Sequence, residues 1–134
     1  GPRVAGAARD AGASAVTLVN TVPALPVDGA AASPVLGAGR GGLSGRVIHD
    51  VAVRCVRDVR IAHPGLPIVG AGGVAGARDA LDLMAAGADA VQVGTATFAD
   101  PRAARRIARD LAAWAARRGV ADWAEVAARG LAYS

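Results

Sequence analysis

Three glycine-containing turns carry the residues best suited to binding an anion. They are Gly41-Gly42-Leu43-Ser44-Gly45, Gly70-Ala71-Gly72-Gly73-Val74 and Gly94-Thr95. The last two turns each follow a short apolar run and precede a helix-like segment. A glycine turn between a strand and a helix directs backbone N–H groups at an anion, and a threonine hydroxyl can add a donor. These turns therefore predict a phosphate site, although ordinary turn chemistry or a flexible linker would also explain the glycines.

Asn20 and Thr21 form a second polar group, at the end of the apolar segment that begins near residue 15. A side-chain amide offers both donors and an acceptor to a polar, planar ligand. The alternative interpretation is a simple Asn-Thr turn signal. Placed at the end of a strand, the pair is a candidate ligand-binding site.

Strands and helices alternate along the chain. The apolar spacing predicts strands at 15–20, 67–70 and 90–94, and helices at 4–11, 47–62, 77–86, 102–118 and 123–129. The strands are near-continuous apolar runs, which are typical of parallel strands covered on both faces. The Ala-Gly-Ala stop before residue 15 is repeated before residue 90, as expected for repeating βα units.

This order predicts an α/β fold, namely the C-terminal part of a (β/α)8 TIM barrel with about three parallel strands. Barrels of this type hold a phosphate with the turns after their seventh and eighth strands. The chain has 134 residues, whereas a full barrel needs roughly 250. We therefore expect residues 1–134 to be one domain fragment whose N-terminal barrel half is missing. The Pro-, Gly- and Ala-rich stretch 21–46 is predicted to be a structureless, ligand-facing loop.

The composition argues against several classes of partner. The net charge is +4 and all fifteen basic residues are arginine, but only 3% of residues are aromatic. Without aromatic stacking, and with many arginines near acidic residues, nucleic-acid binding is not expected. The absence of lysine excludes a Schiff-base mechanism on this chain. No apolar run approaches the roughly 20 residues that span a bilayer, so we expect no membrane association and a cytoplasmic location.

The cysteine and the histidines are assigned no chemistry. Cys55 is the only cysteine, so an intrachain disulfide is impossible. It lies at helical spacing with the apolar positions 48, 51, 52 and 59, which predicts a buried helix-face thiol. His49 and His63 lack neighbours at metal-ligand spacing, and we expect no metal site. Trp114 and Trp123 are interpreted as packing anchors of the terminal helices.

The motifs, in this order, resemble a known family. The segments are Val19-Asn20-Thr21-Val22-Pro23, Pro34-Val35-Leu36-Gly37, Gly41-Gly42-Leu43-Ser44-Gly45, Ile68-Val69-Gly70-Ala71-Gly72-Gly73-Val74 and Ala88-Asp89-Ala90-Val91-Gln92-Val93-Gly94-Thr95-Ala96. Together they are similar to the C-terminal half of dihydroorotate dehydrogenase, most of all the class 1B, NAD-linked bacterial type. The resemblance extends over residues 4–131.

The resemblance implies an FMN-dependent barrel that oxidises dihydroorotate to orotate in pyrimidine biosynthesis. By motif, the substrate would be bound by Asn20 and Thr21. FMN would be bound by Val19, Ser44, Gly45, Gly72, Gly73, Gly94 and Thr95, of which the last four would hold its phosphate. The family's flavin-contacting lysine and its catalytic base lie in the earlier half of the barrel. No catalytic residue is therefore expected on this chain, and Cys55 does not match the base position.

The resemblance also implies partners and leaves alternatives. The partners are the missing barrel half, an iron–sulfur/FAD electron-transfer subunit and a second copy of the chain in a homo-oligomer. After the Gly-Gly-Leu-Ser-Gly turn the family usually reads Pro-Ala-Ile-Lys-Pro, whereas this chain reads Arg46-Val47-Ile48-His49-Asp50. The alternatives are a barrel like that of dihydropyrimidine dehydrogenase, and an inactive half-barrel that binds phosphate or flavin weakly.

Overall fold

A three-stranded parallel sheet backed by helices is the framework of the chain. The structure, a computed structural model, describes residues 1–129. The strands are β1 (Val16–Leu18), β2 (Val22–Ala24), β3 (Val27–Asp28), β4 (Ser33–Pro34), β5 (Gly41–Leu43), β6 (Ile68–Ala71) and β7 (Ala90–Gln92). The helices are α1 (Pro2–Asp10), α2 (His49–Ala62), α3 (Ala77–Ala86), α4 (Ala96–Ala99), α5 (Ala103–Arg118) and α6 (Ala124–Arg129). A 3-10 turn, Arg46–Ile48, leads into α2.

The parallel sheet has the order β1-β6-β7, with β6 in the centre. Val16 pairs with Ile68 and Gly70 pairs with Val91, so alternate residues of the three strands share one face. On that face Ile68 is fully buried against a core that includes Val56 and Leu83, from α2 and α3. The prediction of an α/β fold with three parallel strands is confirmed, and each predicted helix is present with small shifts at its ends.

The opposite face of the sheet is open. Thr17, Ala90 and Gln92 lie on it and are exposed, and Val69 is half-buried. Within the described residues, no helix covers this face of the sheet. The described helices α2 and α3 pack against the opposite face, around Ile68.

The segment 21–46 is not structureless, as the sequence suggested, but forms nested antiparallel ladders. β2 pairs with β5, and within that pair β3 pairs with β4. The Asp28 carboxylate accepts the backbone N–H groups of Ala30 and Ala31 at the tip. Strand pairing satisfies backbone N–H and C=O groups whatever the side chains are. A sequence rich in proline and glycine therefore did not indicate these strands.

Helix α2 and the turn before it bury three of the five predicted positions, namely Ile48, Ala52 and Val59. His49, Ala52, Val56 and Val59 are buried, whereas Val51 is 49% exposed. The thiol of Cys55 is only half-buried. The buried stripe of α2 also contains His49 and Val56, and Val51 and Cys55 lie beside it rather than on it.

Polar contacts fix the ends of the helices. The exposed Asp100, just before α5, accepts the Arg102 backbone N–H at 3.0 Å and the Arg106 side chain at 3.1 Å. The first contact, reinforced by the second, holds the pKa of Asp100 below its usual value. The ring of Trp114, within α5, stacks on that of Trp123, with ring centroids 6.5 Å apart, as expected for packing residues.

Two further points concern the C-terminal residues and the hydropathy of the helices. Residues 130 and 131, the end of the stretch that carries the family resemblance, lie outside the described residues. Within residues 1–129, every helix is too short or too polar to cross a bilayer.

Candidate functional site

A cavity of about 310 Å³ lies at the carboxyl ends of the three parallel strands. Its wall contains every residue that the sequence analysis assigned to a ligand: Val19, Asn20, Thr21, Ser44, Gly45, Gly72, Gly73, Gly94 and Thr95. Val19 directly follows β1 and Gly72 directly follows β6. Gly94 lies two residues after β7. Parallel strands end at one edge of a sheet, so three sequence-distant segments meet there.

The glycine turns touch each other at this edge. A Cβ atom on Gly73 would lie 2.9 Å from the Gly45 carbonyl oxygen and 2.8 Å from the His49 Cβ. A Cβ atom on Gly45 would lie 3.8 Å from the Thr95 Cγ2. Gly73 also has φ +68°, a conformation that disfavours larger residues. Both the space and the backbone therefore require glycine at position 73.

Unpaired N–H groups give the cavity its capacity for an anion. Within residues 1–129, the backbone N–H groups of Gly73 and Thr95 donate to no protein acceptor. Both residues line the cavity. N–H groups at a turn can donate to an anion, so a phosphate in the cavity would suit them. The turn after β6 and the turn after β7 thus fit the phosphate of a ligand.

His49 supports the turn after β6. Its Nδ1 lies 2.9 Å from the Gly72 carbonyl oxygen, and because a carbonyl can only accept, Nδ1 carries the hydrogen. Its Nε2 is buried, lies 3.6 Å from Asp82 Oδ2 and has no hydrogen-bond partner among the described residues. The sequence analysis gave His49 no role, because nothing local to residue 49 shows that it reaches the turn.

Asn20 and Thr21 lie at the mouth of the cavity and are exposed. The Asn20 side-chain oxygen accepts the Thr21 backbone N–H at 2.7 Å. This contact is that of a turn, and it leaves the Asn20 NH2 group available as a donor. The ligand-binding and turn interpretations are thus compatible in one side chain.

Three potential metal ligands come together beside the cavity, although no cluster was expected from the sequence. Ligand atoms of His49, Asp79 and Asp82 lie within 4.8 Å of one another. Asp79 Oδ2 already accepts the N–H groups of Ala75 and Gly76, each at 2.9 Å. Capping of α3 thus accounts for Asp79 without an ion.

Two polar residues of the cavity wall, Arg46 and Gln92, had no role predicted from the sequence. Gln92 is the only polar residue of β7 and was assigned no role. Arg46 follows the Gly45 turn and was noted only as a departure from the family pattern. For both, a polar side chain next to a strand end or a glycine turn was the available signal.

The chain has parallel strands that alternate with helices, and its glycine turns meet at the strand ends. This arrangement defines part of a βα-repeat protein whose cavity can accept an anion. The chain belongs to the dihydroorotate dehydrogenase family, whose family model matches residues 3–114. Members of this family are flavin-containing oxidoreductases of pyrimidine biosynthesis. The identification made from the motifs is confirmed.

Curated relatives agree with the family assignment. The catalytic subunit of dihydroorotate dehydrogenase B (NAD(+)) from Citrifermentans bemidjiense is 51% identical over 108 residues, which cover 81% of this chain and 35% of the relative. A putative dihydroorotate dehydrogenase A (fumarate) from Solibacter usitatus is 48% identical, with 84% and 37% covered. The A (fumarate) enzyme of Lactiplantibacillus plantarum is 46% identical, with 82% and 36% covered. The chain therefore spans little more than a third of the length of these relatives.

Proposed function

We propose that residues 1–134 form the C-terminal part of a (β/α)8 barrel that oxidises dihydroorotate to orotate with FMN in de novo pyrimidine biosynthesis. The observation that carries the proposal is the meeting of three glycine turns and Asn20-Thr21 around one cavity. The open face of the parallel sheet supports the barrel, because in a closed barrel that face would turn toward the interior. Family membership supports the reaction.

In this proposal the phosphate of FMN is held by Gly72, Gly73, Gly94 and Thr95. The unpaired N–H groups of Gly73 and Thr95 would donate to it, and the Thr95 hydroxyl would add a further donor. The rest of the cofactor would lie along Val19, Ser44 and Gly45, where the absence of a Cβ on Gly45 allows close approach. FMN would supply the redox chemistry by accepting a hydride from the substrate.

Asn20 and Thr21 would bind the dihydroorotate ring and carboxylate. The Asn20 oxygen is engaged by the Thr21 N–H, so its NH2 group is the part that would donate to the substrate. The catalytic base and the flavin-contacting lysine would come from the missing half of the barrel, so this chain would hold no catalytic residue. Its role would be to orient cofactor and substrate.

NAD-linked oxidation would require further partners. The relative from Citrifermentans bemidjiense is named as the catalytic subunit of a B (NAD(+)) enzyme, which supports an iron–sulfur/FAD electron-transfer subunit as the partner of this protein. We further propose a homo-oligomer and a cytoplasmic location, the latter because the single cysteine suits a reducing compartment.

The substrate is tested in the complete barrel, meaning this chain joined to the βα units of the family's first half. We expect reduction of bound FMN by dihydroorotate and not by dihydrouracil. Reduction by dihydrouracil alone would favour a dihydropyrimidine dehydrogenase-like enzyme. Reduction by neither, in a barrel that retains FMN, would leave only the flavin-binding half-barrel.

Asn20→Ala tests the substrate site. In the complete barrel kcat/KM for dihydroorotate should fall by about tenfold or more, because one donor to the substrate is lost. FMN content should stay near that of the wild type. Cys55→Ser is the control, since we assign Cys55 no catalytic role, and it should leave kcat/KM unchanged. An unchanged kcat/KM in Asn20→Ala would remove that residue from the substrate site.

A further inference from the structure

Arg46 is the only charged residue among those of the described chain that line the cavity. It comes directly after Gly45, at the start of the 3-10 turn, so its backbone lies beside the glycine turns. Its side chain is 72% exposed, which leaves it free to contact a ligand. A guanidinium on the wall of an anion-receptive cavity calls for an explanation.

Asp79 holds the Arg46 guanidinium in place. Nη1 lies 3.4 Å from Asp79 Oδ2 and Nη2 lies 3.4 Å from Oδ1, so the two planar groups face each other fork to fork. The Asp79 side chain is only 7% exposed and accepts the N–H groups of Ala75 and Gly76 at the start of α3. The carboxylate is therefore fixed, and its two contacts of 3.4 Å keep the exposed guanidinium beside it.

The Arg46–Asp79 ion pair leaves some N–H donors of the guanidinium unused. Arginine has five N–H donors, and the carboxylate accepts a hydrogen bond only from Nη1, while Nη2 is within ion-pair distance. Since Asp79 is already accepting two backbone N–H groups and a guanidinium, a metal ion at the His49, Asp79 and Asp82 cluster would have to displace Arg46. The arrangement therefore favours an anion on the cavity side of Arg46 over a cation on the Asp79 side.

A phosphate monoester is the anion that suits this cavity. Backbone N–H groups at the glycine turns supply partial charges, whereas a phosphate ester carries up to two full negative charges near neutral pH. Among residues 1–129, Arg46 carries the one positive charge on the wall, and guanidinium groups bind phosphate oxygens well. A dephosphorylated ligand would gain nothing from it.

We infer that Arg46, positioned by Asp79, binds the phosphate of the flavin and sets the preference of this protein for FMN over riboflavin. This inference rests on the proposed function, because the ligand is taken to be FMN. It adds a side-chain contact to the phosphate site that the glycine turns alone would form.

The test measures the dissociation constants of FMN and riboflavin for the apo form of the complete barrel, by quenching of flavin fluorescence. Arg46→Met should weaken FMN binding by about tenfold or more and leave riboflavin binding within about twofold. Arg46→Lys should restore part of the preference, because it returns the charge without the fork. Arg78→Met is the matched control, since it removes an exposed positive charge from α3, outside the cavity wall.

The possible results distinguish failure of the proposed phosphate site from failure of the role of Arg46. A wild-type protein that binds FMN no better than riboflavin overturns the proposed phosphate site and, with it, the role of Arg46. A wild-type preference that survives in Arg46→Met overturns the role of Arg46 alone. Equal weakening of FMN and riboflavin in Arg46→Met also overturns it, because that result indicates a structural role.

Discussion

At the scale of single residues, the site depends on what glycine lacks. The Gly72 and Gly73 turn packs so closely on α2 that a Cβ at position 72 would lie 2.6 Å from the Ala52 Cβ. His49, from the same helix, bonds the Gly72 carbonyl oxygen. The turn is thus fixed from behind by α2 while its N–H side stays open to the cavity. This is how a flexible residue type can form a rigid anion site.

Gly73→Val should remove the flavin from the complete barrel. The new side chain would collide with the Gly45 carbonyl and with His49, at a position whose φ of +68° already disfavours a β-branched residue. Absorbance of the purified protein measures flavin content, and circular dichroism checks the fold. Gly65→Val is the matched control, because a Cβ at position 65 meets nothing within 4 Å. Normal flavin content in Gly73→Val would contradict the assignment of this turn.

At the scale of elements, Arg60 joins helices to the sheet. From the last turn of α2 it donates to the Gly87 carbonyl oxygen at 2.7 Å and to Asp89 Oδ2 at 2.6 Å. Asp89 Oδ2 in turn accepts the Ile68 backbone N–H at 2.8 Å. One side chain therefore ties the end of α2 to the end of α3 and to the starts of β6 and β7. This end of the sheet lies opposite the cavity. Contacts at this end serve stability rather than ligand binding.

Arg60→Met should destabilise the complete barrel by about 1–3 kcal/mol, because the Gly87 carbonyl and Asp89 lose a charged, four-fifths buried donor. The fall in Tm should be several degrees and FMN affinity should hardly change. Arg54→Met is the control, since Arg54 is 81% exposed on the same helix and pairs only within it. A Tm change no larger than that of the control would contradict the stabilising role of Arg60.

At the scale of the whole molecule, the described fold leaves apolar surface and strand edges uncovered. The outer edges of β1 and β7 have no partner strand within residues 1–129. Leu25, Val27 and Val35 on the nested hairpins are each more than half exposed, and Phe98 on α4 is 91% exposed. Unpaired edges beside apolar side chains favour association with another chain.

The isolated chain 1–134 should therefore self-associate or unfold non-cooperatively until the other barrel half is supplied. Sedimentation velocity over a range of concentrations measures the association, and thermal unfolding measures the cooperativity. Adding the family's first half should convert the material into a defined species. A stable, cooperatively folding monomer of the isolated chain is the result that speaks against this prediction.

Local sequence determined the order of the parallel strands and of the longer helices, and it identified nine of the residues that line the cavity. Glycines after apolar runs mark strand-to-helix turns, because backbone conformation there depends on the residue itself. For that reason the predicted helix 77–86 matches α3 at both ends. The three parallel strands fixed the common edge, and all nine assigned ligand residues lie around it.

Contacts between distant segments were decided by the tertiary structure alone. The pairing of Val22 with Leu43, the fork between Arg46 and Asp79 and the bond from His49 to Gly72 each join residues more than twenty positions apart. The burial of Ala52 and the exposure of Val51 likewise depend on how α2 is rotated against the sheet. Such contacts arise from packing many elements at once, and no local pattern encodes which side chains will then face each other.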